Sequence, residues 1–362
     1  MGGAEYQIAC LLEALIPLQK YQIHYLAHHV APDFHADGYR IEQVGRGAAN
    51  PRWGYITHAM PLYRALLNIR PDVIYQRVGG GYTGIAAFYA RRHNACLIWH
   101  VAHDTDVTPR STLEGRNPVR RFLEKRSIEF GIRYANHIVV QTKHQANLLQ
   151  KFYQRTTDLV IPNLHPQPRE SIDKTGPLRV VWIANLKPWK QPDVFVRLAA
   201  ALSGLKQVRF IMVGAEAGGA GDVRWSETLM RGIRSAGNID YLGPRSQADV
   251  NELLARAHVF VNTSIHEGFP NTFIQAWMRE VPVVSLNVNP DGLLDREAIG
   301  VHAGTEDRLI EAVRMMVSNQ VTRGEYALRA RAYAMQHHSL RNAEALVRLI
   351  DRCAAEKRGS SS

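Results

Sequence analysis

Short apolar runs alternate with helix-length segments along almost the whole chain, and this rhythm limits the fold more than any other feature. The apolar runs fall at residues 23–27, 73–76, 97–102, 137–141, 180–184, 209–213, 238–241, 258–261 and 281–286. Each is short, largely aliphatic or aromatic and bounded by turn residues, the pattern of a strand buried on both faces. Helical spacing of apolar residues occupies 4–18, 61–68, 84–93, 118–134, 192–202 and 248–255, and again 326–357. Such alternation builds βαβ units and parallel sheets, so the expected class is α/β. Residues 161–176, rich in Pro and polar side chains, break the rhythm and read as a linker. Two Rossmann-like doubly wound domains, 1–165 and 166–340, are expected to face each other across a cleft. A helix and tail at 341–362 would pack back on the first. In such folds ligands bind beyond the carboxyl ends of the strands.

Composition excludes several classes. At 362 residues, 46% hydrophobic and 21% charged, the chain can fill two ordinary cores. No apolar run approaches the roughly 20 residues of a membrane span, and no signal peptide is visible. Cys10, Cys96 and Cys353 are far apart in sequence and match no zinc or redox spacing, which points to a reducing cytoplasm. The net charge of +11 draws heavily on Arg110, Arg116, Arg120, Arg121, Lys125, Arg126 and Arg133. A solvated helix face explains this run, and so does attraction of segment 110–133 to anionic headgroups or an acidic acceptor. Nucleic acid is disfavoured, because no nucleic-acid module accompanies the charge.

The most informative stretch is His266 to Trp277, HEGFPNTFIQAW. It leaves an apolar run through a Gly/Pro turn and enters a helix near Asn271 and Thr272. Backbone N–H groups at such a start favour an anion. Glu267 and Gln275 stand on either side as groups able to read hydroxyls. At the other end, Met1-Gly2-Gly3-Ala4-Glu5 reads as a strand-to-helix glycine loop with no strand ahead of it. The first strand of a doubly wound sheet is central. About ten apolar residues are therefore expected upstream of Gly2.

Taken in order, five segments resemble the retaining nucleotide-sugar glycosyltransferases of family four, which have the GT-B fold. They are Gly2-Gly3-Ala4-Glu5, Val181 to Lys190, Ile211-Met212-Val213-Gly214, Asn238 to Gly243, and Glu267 to Trp277. The resemblance covers nearly the whole chain and is far more specific in its second half. It implies that Lys190 neutralises the donor diphosphate, a fixed ammonium doing this without a metal. An ordinary exposed lysine is the bland alternative. Asn185 stands where the family commonly has an arginine, with Lys187 as the candidate to compensate. Gly214 and Leu242 belong to the donor site, and the amides of Gly268, Phe269, Pro270, Asn271 and Thr272 form the loop under the phosphates, less the N–H that Pro270 lacks.

The family frames this loop with two glutamates. Glu267 is the first and contacts sugar hydroxyls; the second, which grips the ribose, is Gln275 here. An amide offers one acceptor oxygen where a carboxylate offers two. Donor binding should be weaker by about 1 kcal/mol, roughly fivefold, and Gln275→Glu should restore it, unless Gln275 is simply a helix-surface glutamine. In the first domain Gly2 and Gly3 match the glycine loop over the phosphates. His103, favoured over His100, is the candidate contact to the transferred sugar, or a histidine satisfied locally. Gly79-Gly80-Gly81-Tyr82 lines the acceptor side or is a plain turn.

The expected activity is metal-independent hexosyl transfer with retention, without a cofactor. The donor is UDP-, GDP- or ADP-linked and the acceptor a saccharide or lipid-linked. Lys190, Glu267 and His103 are the catalytic candidates, and domain closure brings Gly3 and His103 onto the donor. Asp104-Thr105-Asp106 spells a metal motif of the other major glycosyltransferase fold, but short acidic triplets recur by chance. The competing classes are an epimerase of GT-B fold, a phosphorylase needing pyridoxal phosphate, and an inactive nucleotide-sugar-binding homologue.

Overall fold

The computed structural model describes residues 3–30, 34–45, 55–109, 118–216 and 223–359. The chain divides into two compact units, one comprising Met1–Leu164 with Leu340–Ser362, the other His165–Ser339.

The first unit opens with helix α1 (Gly3–Leu15), then strands β1 (His24–Ala27) and β2 (Arg40–Gln43) and helix α2 (Ile56–Ile69). It continues through β3 (Val73–Arg77), α3 (Gly81–His93), β4 (Cys96–His100), α4 (Pro118–Tyr134), β5 (His137–Val140), α5 (Lys143–Tyr153) and β6 (Leu159–Val160). All its strand pairs are parallel, but they form two sheets: β1 with β2, and β3-β4-β5-β6.

The second unit runs β7 (Leu178–Ile183), α6 (Pro192–Ala201), β8 (Val208–Val213), α7 (Val223–Ala236), β9 (Ile239–Tyr241), α8 (Gln247–Ala255), β10 (Val259–Asn262) and α9 (Asn271–Trp277). Then come β11 (Val283–Ser285), α10 (Leu293–Arg296), β12 (Gly300–His302), α11 (Glu306–Ser318) and α12 (Gln320–His337). Its six parallel strands lie in the order β9-β8-β7-β10-β11-β12. This is the doubly wound arrangement, with the strand order reversing between β7 and β10. Period-2 alternation sends Val180 and Trp182 of β7 into one core with Phe195, Phe210 and Leu309. Val181 enters the opposite core with Phe260, Phe273 and Trp277. Both faces are covered, which is why these strands lack polar alternation.

The chain then re-enters the first unit as α13 (Ala343–Gly359). Leu346, Leu349, Ile350 and Cys353 of α13 pack with Cys10, Leu11 and Leu15 of α1 and with Ile98 and Val139 of the larger sheet.

The departures from expectation have local reasons. The helical pattern of 326–357 is cut after His337, where the His338 imidazole is fully buried. Helix α2 begins five residues before Pro61, so that proline lies inside the helix rather than at its start. Three strands lacked a readable pattern. β2 is polar and exposed at both ends, β6 has two residues, and β12 is only Gly-Val-His. Residues 161–176 hold no helix or strand.

Among the described residues of the first unit, β1 and β3 each have one hydrogen-bonded neighbour. Both line a cavity of about 1360 Å³, together with Ile8, Leu11 and Leu12 of α1. Unpaired parallel edges facing an apolar cavity can accept a further strand through backbone hydrogen bonds. A solubly tagged segment of about six Val and Ile residues fused ahead of Met1 is expected to raise Tm, whereas a Gly/Ser segment of equal length leaves it unchanged. Identical melting curves would show that these edges take up no strand.

Candidate active site

The switch point between β7 and β10 places two loops side by side. After β7 the chain makes a single 3-10 turn, Pro188–Lys190, with Pro188 at its first position, where a fixed φ suits a helical start. Gln191 then adopts a left-handed conformation (φ 48°) and Pro192 starts α6. The loop is tied to the end of β10 at several points. Trp182 Nε1 donates to Thr263 Oγ1 at 2.8 Å, and Thr263 Oγ1 donates to the Lys190 carbonyl at 2.6 Å. The Ile265 N–H donates to the Trp189 carbonyl at 2.8 Å.

On this frame the Lys190 ammonium and the Glu267 carboxylate form a short ion pair. The side chains are only 18% and 12% exposed, so both charges are largely withdrawn from water. Desolvation makes such a pair costly unless other groups complete its hydrogen bonds. Here Ser264 Oγ donates to the same carboxylate oxygen at 2.8 Å. Asn262 Oδ1 accepts the Ser264 N–H at 3.2 Å, and Asn287 Nδ2 donates to the Ser264 carbonyl at 3.3 Å. The reading of Lys190 as an ordinary exposed lysine does not hold. Thr263, Ser264 and Asn287 escaped the sequence reading, although the polar triplet Asn262-Thr263-Ser264 closing an apolar strand was there to be noticed.

The other donor-loop residues divide by what they touch. The Phe269 ring is buried, 6.1 Å from the Trp277 ring and 4.8 Å from that of His338. It anchors the loop in the core. Gly268 is also buried, Pro270 caps α9, and the Phe273 N–H is used by the Pro270 carbonyl at 3.1 Å. Asn271 and Thr272 are half-buried at the start of α9. Gln275 is buried, not a surface glutamine, and its amide donates to Gln247 Oε1 at 2.9 Å and Asn251 Oδ1 at 3.0 Å on α8. Its carbonyl oxygen is thus the atom with acceptor character that those two bonds leave over.

Gly214 and Leu242 sit at the carboxyl ends of β8 and β9. A Cβ on Gly214 would lie 1.7 Å from the Ala184 carbonyl oxygen, so no side chain fits there. Its N–H donates to the Gly243 carbonyl at 3.1 Å, and the Leu242 N–H to the Met212 carbonyl at 2.9 Å. Asn185 is exposed, and the Lys187 ammonium lies 4.8 Å from the centre of the Trp189 ring, a cation–π contact.

In the first unit, Gly3 is the exposed first residue of α1, while Gly2 lies outside the described residues. His103 is exposed just past the carboxyl end of β4. His100 is buried, hydrogen-bonded to the Tyr75 hydroxyl at 2.8 Å and 3.2 Å from the Arg77 guanidinium; burial and that charge push its pKa well down, so it stays neutral. The Asp106 carboxylate accepts the Ala102 and His103 N–H groups, each at 3.0 Å, and Asp104 accepts from Gln145 at 3.1 Å. The acidic triplet therefore closes a turn. Gly80 caps α3 and the Tyr82 ring rests on those of His28 and Tyr55.

Gln275→Leu keeps the volume but deprives two half-buried amide oxygens of their donors. It should lower stability by about 1–3 kcal/mol in a denaturant titration. An unchanged midpoint would show that Gln247 and Asn251 re-pair without cost.

Comparison with known proteins agrees in both units. Residues 1–164 match the model of Glycosyltransferase Family 4, and residues 177–319 that of Glycosyl transferases group 1. A D-inositol 3-phosphate glycosyltransferase of Stackebrandtia nassauensis is 25% identical over 241 residues, 61% of this chain. The chain spans about half the length of the curated relatives it matches, 54% of this one. Among solved structures, HepE from Anabaena in complex with UDP and glucose superposes with a TM-score of 0.72 at 17% identity, covering 97% of this chain and 96% of that one. WaaG, a glycosyltransferase involved in lipopolysaccharide biosynthesis, gives 0.73 at 14% identity, with 97% and 96% covered. A family 4 domain followed by a group 1 domain, on two parallel-sheet units, places the chain among the GT-B glycosyltransferases.

Proposed function

We propose that this protein transfers a hexose from a nucleoside-diphosphate sugar to a saccharide or lipid-linked acceptor with retention of anomeric configuration, in polysaccharide or glycolipid synthesis. One observation carries the reading: a largely buried Lys190–Glu267 pair at the strand-order reversal of the second unit. As the glycosidic bond breaks, negative charge grows on the departing diphosphate. The Lys190 ammonium, already oriented by Glu267 and by the carbonyl bond from Thr263, stabilises that charge with little rearrangement and without a metal. Glu267 and Ser264 then present oxygen atoms to sugar hydroxyls, and the Gln275 carbonyl oxygen reads the ribose. The departing phosphate oxygen takes the acceptor proton on the same face of the sugar. For His103, contact with the transferred sugar is the role proposed.

Since HepE was seen with UDP and glucose, UDP-glucose heads a thermal-shift screen that also includes GDP- and ADP-sugars. A ligand that binds only the folded state raises Tm. With the responding donor, Lys190→Ala should lower kcat/KM at least about 100-fold, and Lys190→Arg should recover part of it. Near-normal turnover in Lys190→Ala would refute the assignment. Conversion of donor alone into an isomer would indicate an epimerase, and binding without turnover an inactive homologue.

We further propose peripheral attachment to the inner face of a membrane through α4. On this helix Arg120 pairs with Glu124, and Lys125 and Arg126 with Glu129, which dilutes the basic run. However, Val119, Phe122 and Leu123 are exposed beside Arg121 and Arg126, the mixture that suits an anionic interface. Arg110 and Arg116 lie outside the described residues. No helix among those residues is long and apolar enough to cross a membrane. Co-sedimentation with phosphatidylglycerol vesicles should fall several-fold in Phe122→Glu. Equal sedimentation of the two proteins would remove this proposal.

A further inference from the structure

Two of the three cysteines, separated by more than half the chain, meet in the first unit. Cys96 is the first residue of β4, His137 the first of the adjacent β5, and Cys353 lies on α13. The two sulfur atoms and a His137 ring nitrogen all lie within 4.8 Å of one another. Cys353 is buried and the His137 side chain is 18% exposed.

A second observation points to a ligand. Asp158, next to β6, accepts from His137 Nδ1 at 2.7 Å with one carboxylate oxygen and from the Ile138 N–H at 2.8 Å with the other. The carboxylate is held on both sides and fixes the ring, so that Nε2 is the nitrogen this contact does not use. A carboxylate behind an imidazole, orienting it and raising its basicity, is the usual support of a metal-bound histidine. No zinc spacing shows in the sequence because the site is assembled from two strand starts and a distant helix, not from one loop.

We infer that Cys96, His137 and Cys353 bind a single zinc-class ion. Two sulfurs and one imidazole are a soft-to-borderline set suited to tetrahedral Zn²⁺. The fourth position falls to water or to Glu356, one turn beyond Cys353 on α13 and close enough to act on both thiols electrostatically. Binding releases both thiol protons and leaves the imidazole neutral, so two thiolates balance the dication. The ligands stand at the amino ends of β4 and β5, the opposite end of the sheet from His103. The ion therefore has no part in sugar transfer. Its effect is to fasten α13 to the larger sheet.

The test uses the full chain, stripped of metal by chelator and kept in reductant, titrated with Co²⁺ and then Zn²⁺. One equivalent of Co²⁺ should produce a sulfur-to-cobalt charge-transfer band that Zn²⁺ abolishes, and Zn²⁺ should raise Tm and protect two thiols from alkylation. Cys353→Ser should lose the band and the Tm shift, Cys10→Ser should keep both, and Asp158→Asn should bind about 10–100-fold more weakly. Absence of the band in the unaltered chain overturns the inference whatever the variants do, as does zinc uptake that is the same in Cys353→Ser. Thiols that ignore metal but couple as a disulfide when reductant is removed would overturn it in favour of a redox pair.

Discussion

The second unit depends on a pair of charges held where water is scarce. Lys190 and Glu267 come from opposite sides of the strand-order reversal, and either charge alone would be costly there. Everything around them acts to keep the two loops in register: the indole of Trp182, the hydroxyls of Thr263 and Ser264, and the main-chain bond between Ile265 and Trp189. The result is an ammonium whose position is set by the sheet rather than by its own flexible stem. The electrostatic role proposed for Lys190 needs this, because a charge that must first be reoriented loses much of its advantage.

The same unit shows how a core anchor can lie within the loop proposed to hold the donor. Phe269 turns its ring into the core against Trp277 and His338, so the backbone beside it is pinned from below. Gln275 turns its amide toward α8. A glutamate there would meet two amide oxygens unless Gln247 and Asn251 rotate their groups. The amide therefore suits its neighbours, and the departure from the family pattern has a packing cause in addition to any effect on a nucleotide.

Much of this was legible in the sequence. The buried strands of the second unit announced themselves because both faces are covered, so that apolar residues run without interruption. Lys190 and Glu267 lie on turns after two such runs, and their expected roles come from the resemblance to family 4. What stayed hidden depends on distance along the chain or on brevity. β2 is polar and exposed at both ends, and β6 and β12 carry too few apolar residues to show a period. The polar bonds of Ser264 and Thr263 are set by tertiary contacts that no local pattern encodes. Cys96 and Cys353 meet only because α13 re-enters the first unit. His338 breaks a helical pattern that the sequence continues without a pause, since a buried imidazole leaves no mark in periodicity.

The re-entry of α13 also bears on how the protein is made. Its Leu346, Leu349 and Ile350 complete the apolar cluster formed by Cys10, Leu11, Ile98 and Val139. During synthesis those early residues leave the ribosome long before their partners exist. The second unit, built from one continuous stretch, can finish first. The nascent first unit must wait with that surface uncovered, which makes it the part of the newborn chain most in need of a chaperone.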